Sequence, residues 1–457
     1  MYTISYMLIQ AISILSIPVF TKLLTPADFG VYEVFNNTVR IIAIFLSLNL
    51  FNALYRFSFD VDQDKKLLFQ FLLRTSLFSF LIGSAILFVF KHYFFRIINI
   101  PHNLFVWMLV AVFSNIVYNF FTVYNTTQQK STRLGLWQFF TQLLRVLSAI
   151  IIIWFFSKNY LGRIAGENVI QFSLSIVIIG VYFYPYIGLR EKIPNKNEIV
   201  KYAVSFIPIG LSSFALGYLD TIMINNFKGN NDAGLYSYIY KIALVYTGVT
   251  TSFITANRPK LFNLLNENKQ DEITGQFKSM FKVIVSLYTF FVLFSAFGGK
   301  FLALNQAFYA GLYLMPILIL SYVFSDINEL YCFYLYYEKK IKYFYLNFAI
   351  SALVNFLLNA FLIPSYGYQA AAYTTLVSYA IMMISTYFLC RKYVSVNVPS
   401  WYDFREYIII VVIVFISNHL VNIFIHNEYY KGTVKIFVFG LVVCYLWRNL
   451  LGKFIKK

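Results

Sequence analysis

The sequence predicts an all-α membrane protein of about 14 transmembrane helices, and three observations predict it. The 457 residues are 60% hydrophobic and only 12% charged, with a mean hydropathy of +0.67. A soluble domain is about 25% charged and could not hide that much apolar surface. The apolar residues fall into runs of roughly 20, the length that crosses a bilayer as a helix. Finally, the chain repeats itself: Asp28-Phe-Gly30-Val-Tyr32 lines up with Asp232-Ala-Gly234-Leu-Tyr236 at an offset of 204. Each copy joins the end of one apolar run to the start of the next. Two matched hairpins opening two matched halves are the mark of a duplicated transporter, with a substrate path between the halves.

In chain order the spans fall at 3–22, 31–52, 71–91, 103–125, 136–156, 168–187 and 200–224. They continue at 232–256, 281–298, 312–337, 343–363, 367–390, 406–425 and 434–451. Pro26, Pro101, Pro194, Pro259, Pro364 and Pro399 lie at or near expected ends, where a helix-breaking residue belongs. Pro18, Pro208 and Pro316 lie inside spans and predict kinks. The stretch 257–280 is the largest polar segment and reads as a loop with a short surface helix. No connection is long enough for a soluble domain.

Charge sets the expected orientation. With the N-terminus in the cytoplasm, 25 of the 37 Lys and Arg residues face inward, nine face outward and three are intramembrane. The inner set includes Arg190, Lys192, Arg258, Lys278, Lys453, Lys456 and Lys457; the outer set includes Arg163, Lys300, Lys431 and Lys435. A miscounted helix would invert the bias downstream, and it holds to the end. Both termini are therefore expected in the cytoplasm. The formal charge of +18 follows from this bias, with no like-charge block that calls for nucleic acid. Cys332, Cys390 and Cys444 sit far apart in apolar stretches and read as small core residues.

The three intramembrane cations are Arg40, Arg145 and Lys241. Each costs about 2.5–3.5 kcal/mol at a helix centre, so each needs a partner or a watery cavity. Glu33, Asn36 and Arg40 share one helix face. Two readings stand: the cations line a cavity for an anionic substrate, or they form ion pairs such as Arg40 with Glu33 and Lys241 with Asp220. Asp326 and Glu329 are the deepest acids and share a face. They are either proton-accepting groups suited to ion coupling or counter-charges for the cations. Asp220 is nearer the outer end, where it couples, caps or pairs locally. His92, His102, His419 and His426 are scattered, and Gly298-Gly-Lys300 lacks the rest of a phosphate-binding loop. No enzyme, cofactor or metal signature is present, so active transport would draw on an ion gradient or a partner.

Several stretches resemble the Wzx-type polysaccharide flippases of the multidrug/oligosaccharidyl-lipid/polysaccharide exporter superfamily. Ile17-Pro-Val-Phe-Thr-Lys-Leu-Leu-Thr-Pro-Ala-Asp-Phe-Gly-Val-Tyr32 is similar to that family's first hairpin. Asp220-Thr-Ile-Met-Ile with Ala233-Gly-Leu-Tyr-Ser-Tyr-Ile-Tyr-Lys241 is similar to its seventh-to-eighth-helix signature. Tyr337-Glu-Lys-Lys-Ile-Lys342 with Asn355-Phe-Leu-Leu-Asn359-Ala-Phe-Leu-Ile-Pro364-Ser-Tyr-Gly-Tyr-Gln-Ala-Ala-Ala372 is similar to its eleventh-to-twelfth-helix pattern. Gln369-Ala370 departs from the Gly-Ala pair more usual there.

The resemblance implies a V-shaped, MATE-like transporter with pseudo-symmetric six-helix bundles at 1–190 and 200–391. A linker at 191–199 would join them, and two additional helices would occupy 392–457. It implies a substrate, an undecaprenyl-diphosphate-linked oligosaccharide, passed from the cytoplasmic to the outer leaflet of the bacterial inner membrane. Arg40, Arg145, Lys241, Glu33 and Asn36 would bind it; Asp326, Glu329 and Asp220 would couple transport to protons or sodium. The polymerase and chain-length proteins of the same pathway would be partners, alongside membrane lipids. An ion-coupled small-molecule or multidrug exporter of the same superfamily is the alternative, and the deep cations argue against cationic drugs.

Overall fold

The computed structural model describes residues 2–59, 64–184 and 195–448, and those residues contain helices and connections but no strand. Residues 191–194 of the expected linker, Pro194 among them, and Arg190, Lys192, Lys453, Lys456 and Lys457 lie outside the described residues. Seventeen α-helices follow in order. The first eight are α1 (Tyr2–Leu23), α2 (Pro26–Leu46), α3 (Leu50–Phe57), α4 (Lys65–Val89), α5 (Lys91–Ile98), α6 (Phe105–Thr127), α7 (Ser131–Phe155) and α8 (Tyr160–Ile178). Next come α9 (Lys196–Val204), α10 (Ile207–Lys228), α11 (Asn230–Asn266), α12 (Gln270–Leu302) and α13 (Met315–Tyr337). The last are α14 (Ile341–Tyr366), α15 (Tyr368–Tyr393), α16 (Arg405–Phe424) and α17 (Glu428–Leu446). Helix is the one open-chain structure that satisfies its own backbone groups in lipid. Among the described residues 13 helical segments are long and apolar enough to cross a membrane, and Leu8–Leu23 of α1 is a shorter apolar stretch. The protein is a multi-pass membrane protein.

Two compact units divide the chain. The first comprises Met1–Ser237, Ala303–Ala307 and Asn359–Tyr368; the second comprises Tyr238–Leu302, Phe308–Leu358 and Gln369–Lys457.

Within the first unit the repeated hairpins meet. Thr25 and Asp28 form a capping box at the start of α2, with Pro26 in the first turn. That satisfies two orphan amides of the helix end reciprocally. Asp28 Oδ1 also accepts from the Tyr160 amide at the start of α8 (3.3 Å). Its counterpart Asp232 lies beside Gly367, just before α15: a Cβ there would sit 3.4 Å from Asp232 Oδ2. The two motif glycines face each other. A Cβ on Gly30 would lie 1.9 Å from the Asn230 carbonyl oxygen, and one on Gly234 would lie 1.8 Å from that of Pro26. The two contacts interchange under the offset of 204, so the start of α11 and the start of α2 cross backbone to backbone.

A second close crossing joins α7 and α8. Gly162 and Gly166 are spaced as in a small-xxx-small interface. A Cβ at Gly166 would come within 2.5 Å of the Ala149 Cα, and one at Gly162 within 2.3 Å of the Ser157 carbonyl oxygen. This packing starts α8 at Tyr160, eight residues before the expected span at 168.

Between α2 and α3 the chain turns through two consecutive non-glycine residues of positive φ, Leu48 (50°) and Asn49 (55°). Each costs roughly 1–2 kcal/mol in that conformation. Hydrogen bonds hold the turn: Asn49 Nδ2 donates to the Phe206 carbonyl (3.2 Å), and Ser76 Oγ donates to that of Ser47 (3.0 Å).

Several proline expectations are corrected. Pro208 and Pro316 occupy the first turns of α10 and α13, where a missing N–H costs nothing: the span holding Pro208 is interrupted just before it, between α9 and α10, and the one holding Pro316 changes there from 3-10 helix to α-helix. Pro259 lies inside α11, which runs on to Asn266, whereas Pro364 lies in the last turn of α14, near its end as expected. The expected loop at 257–280 is mostly helix, because α11 runs to Asn266 and α12 begins at Gln270. Cys332 and Cys390 are buried, as core residues should be, whereas Cys444 is exposed on α17.

In the second unit α12 packs against α13, α16 and α17. Phe281 stacks on Phe404 with ring centroids 4.4 Å apart, and Trp447 Nε1 donates to Ser286 Oγ (3.2 Å). The connection after α15 is tied back by Glu338, which follows α13. Glu338 Oε1 accepts from the Ser395 amide and hydroxyl (2.5 Å each) and from the Val396 amide (3.2 Å). Its Oε2 lies 2.7 Å from Lys340 Nζ. Partial burial would raise the Glu338 pKa, but the bonds from Lys340, Ser395 and Val396 outweigh it and pull the carboxyl down to about 2. A lowered folded-state pKa gives stability that is complete above the ordinary carboxylate range and lost as pH falls toward 2. Protection of the Ser395 and Val396 amides, taken relative to intrinsic exchange at the same pH, should therefore be high at pH 5 and fall toward pH 2. Glu338→Gln should make it low at every pH; high protection in that variant would remove Glu338 as the anchor.

Candidate functional site

The first unit carries a polar cluster built from α2, α7 and α8. Glu167 is 7% exposed and binds on both oxygens. Arg145 Nη2 donates to Oε2 (2.7 Å); Tyr32 OH (2.7 Å) and Arg163 Nε (3.2 Å) donate to Oε1. Arg163 is 6% exposed, and its guanidinium lies 3.8 Å from the ring centroid of Phe20 and 3.6 Å from that of Tyr32. Aromatic faces are the apolar surface that tolerates a buried cation best. Glu33 is buried on α2 and acts on both Tyr32 and Arg163 electrostatically. Two guanidinium groups and two carboxyl groups thus gather in one place.

Arg40 behaves differently. It is exposed on α2 and makes no ion pair among the described residues. Its guanidinium lies 4.4 Å from the ring centroid of Tyr218 on α10. The pairing of Arg40 with Glu33 weighed from the sequence does not form. Asn36 is half-buried one turn before Arg40.

Also in the first unit, Asp220 is buried on α10. It accepts from Tyr236 OH (2.8 Å) and Asn359 Nδ2 (2.6 Å). These are neutral donors. In the second unit, Asp326 and Glu329 lie on α13 but keep different company. Glu329 is paired with Arg258 Nη2 at 2.6 Å. Asp326 is 4% exposed and accepts from Thr250 Oγ1 (3.0 Å). Its Oδ2 is shielded from solvent and interacts with the hydroxyl of Tyr246 on α11. Lys241 is half-buried on α11.

A family described as polysaccharide biosynthesis proteins matches residues 1–264, more than half of the chain. The chain belongs to the polysaccharide biosynthesis protein family. A relative in Staphylococcus aureus, the capsular polysaccharide biosynthesis protein CapF, is 28% identical over 306 residues, which cover 62% of this chain and 73% of that one. Among solved structures, the lipid II flippase MurJ in an inward closed conformation superposes with a TM-score of 0.70 at 13% identity, over 98% of this chain and 99% of that one. An inward-facing multidrug resistance MATE transporter of the MOP superfamily gives 0.61 at 12% identity, over 85% of this chain and 94% of that one. A MOP superfamily transporter from Pyrococcus furiosus gives 0.60 at 13% identity, over 86% of this chain and 94% of that one. At these identities the likeness establishes a shared fold, and this member of the polysaccharide biosynthesis protein family has the fold of the MOP transporters.

Sequence reasoning missed Glu167, Arg163 and Arg258. The first two were placed before the sixth span and the third in a loop, because charge alone was taken to end a helix. The signal for the first pair was present: Gly162 and Gly166 announce a close helix crossing that already includes Arg163 and Glu167.

Proposed function

We propose that this chain moves undecaprenyl-diphosphate-linked oligosaccharide repeat units from the cytoplasmic to the outer leaflet of the bacterial inner membrane for surface polysaccharide synthesis. Alternating access coupled to an ion gradient would drive it. Arg40 carries the reading: an exposed cation without a counter-ion, on a helix apolar enough to span a membrane, suits an anionic ligand. Family membership supports a role in polysaccharide biosynthesis. Arg145, released from Glu167 during the cycle, joins Arg40 in contacting the diphosphate, and Glu33 and Asn36 complete the polar stripe on α2.

For coupling, Asp326 is favoured over Glu329. Glu329 already has Arg258 as a fixed counter-charge, whereas Asp326 is met by the hydroxyls of Thr250 and Tyr246. A carboxyl among neutral groups can change protonation without breaking an ion pair. Asp220, held by Tyr236 and Asn359, is the second candidate. The polymerase and chain-length proteins of the pathway would take up the delivered product.

The test is to delete the chain from its host and sort lipid-linked intermediates by leaflet. Diphosphate-linked repeat units should accumulate in the inner leaflet, and collapsing the ion gradient in the wild type should reproduce this. Arg40→Gln should cut export roughly tenfold or more, the scale of one charge-assisted hydrogen bond, with the protein still in the membrane. Intermediates trapped in the outer leaflet would instead indicate a polymerase. Unchanged lipids with altered sensitivity to small cations would indicate a multidrug exporter of the same superfamily.

A further inference from the structure

The end of the helix pair α12 and α17 carries an unusual concentration of positive charge. Lys300 lies in the last turn of α12, and Lys431 and Lys435 lie one turn apart on α17. Lys300 Nζ and Lys431 Nζ approach the same oxygen, Glu428 Oε1, at 3.3 and 3.6 Å. The Glu428 side chain is itself 71% exposed. Lys435 is only 7% exposed, and the charged groups that act on it are Lys431, Glu428 and Lys300. It makes no hydrogen bond or ion pair among the described residues. Two ammonium groups thus share one carboxylate while a third stands beside it unpaired, so the charges do not balance.

Snorkelling accounts for Lys300 and Lys431, whose heads can reach water at the helix ends. It does not account for Lys435, a nearly buried cation next to a like charge four residues away, an arrangement unfavourable in itself. Space and surroundings are also distinctive. A Cβ at Gly298 or Gly432 would meet nothing within 4 Å, so the surface is open beside the lysines on both helices. Phe297, Phe301, Tyr430 and Phe437 are exposed around them. Apolar rings beside ammonium groups at the end of membrane-spanning helices match a lipid whose tails meet the rings and whose headgroup meets the charges. Outward-facing basic residues are also scarce by the expected orientation, and three of nine gather here.

We propose that Lys300, Lys431 and Lys435 form a binding site for the phosphate of a membrane lipid, on the flank of α12 and α17. The phosphate oxygens accept from the three ammonium groups, and Lys435 supplies the contact that no side chain satisfies. The site is independent of the transport reading, because lipid retention is measured on the purified protein without any flipping assay.

The experiment is native mass spectrometry of the purified full chain, offered phosphatidylglycerol against phosphatidylcholine, and in a second arm undecaprenyl phosphate. The wild type should retain phosphatidylglycerol selectively, and selectivity should fall about fivefold for each lysine removed. Lys435→Met keeps the apolar stem and removes the charge, while the exposed pair Lys300→Gln with Lys431→Gln serves if the buried substitution fails to fold. Lys278→Gln, on α12 away from this cluster, should change nothing. If undecaprenyl phosphate displaces phosphatidylglycerol and needs the same lysines, the phosphate belongs to the carrier lipid and the site stands. Retention without preference for phosphate-bearing anionic lipid, or unchanged retention in the folded lysine variants, overturns the proposal.

Discussion

Gly30→Ala is expected to lower the thermal midpoint of the purified protein and to abolish export. The added methyl group would be 1.9 Å from the Asn230 carbonyl oxygen, and the obstructing atom is backbone, so no side chain can rotate away. Overpacking costs typically about 1–3 kcal/mol, and a rigid backbone obstacle belongs at the upper end. Gly234→Ala should behave alike, since its methyl group meets the Pro26 carbonyl at 1.8 Å. Gly248→Ala and Gly275→Ala provide the contrast. A Cβ at either meets nothing within 4 Å, so each should be neutral or stabilising by about 0.5–1 kcal/mol through its helix preference. Thermal unfolding in detergent separates these cases. A Gly30 variant as stable as the Gly248 variant would mean that the crossing of α2 and α11 separates without cost.

Glu167→Ala should be still more damaging. The carboxylate is the hydrogen-bonded counter-ion of Arg145 and Arg163, and removing it leaves Arg163 as a buried guanidinium among aromatic rings, with Glu33 acting on it electrostatically. Breaking a buried pair by removing one partner costs about 3–5 kcal/mol, mostly the penalty of the stranded charge. The protein should fail to accumulate in the membrane. Adding Arg163→Met should restore much of the loss, because the remaining cation, Arg145, is partly exposed and can find water. Glu167→Gln should fall between, keeping a hydrogen-bonding group without its charge. Membrane-fraction abundance and thermal midpoint are the readouts. A double variant no better than the single one would show that the cluster is held by packing and not by charge balance.

Much of the fold was legible because the bilayer imposes a length on every apolar run, and the charge bias checks the count. The hairpin repeat was legible because Gly30 and Gly234 are each demanded by the other's backbone. Helix ends were less so. Lys and Glu at 257–280 read as loop, yet α11 and α12 continue through them, since a helix leaving the hydrocarbon can carry charge at no cost. The site was legible in residue type and less so in partnership. Arg145, Asp326 and Glu329 were identifiable as costly intramembrane charges. That Glu329 meets Arg258, 71 residues away, and that Asp326 meets Thr250 depends on the packing of α11 against α13, which no single-segment pattern encodes.

The break after α2 marks a difference between the two copies of the duplication. At Ser47–Asn49 the first copy turns through Leu48 and Asn49 before α3 begins. Applying the offset of 204 puts the equivalent positions at Thr251, Ser252 and Phe253, and there α11 runs on without interruption. One copy is jointed where the other is a continuous rod. The first copy therefore presents two shorter helices where the second presents one long one, and Asn49 and Ser76 fasten the turn between them. A matched pair of sequences has become an unmatched pair of structures, one broken and one continuous.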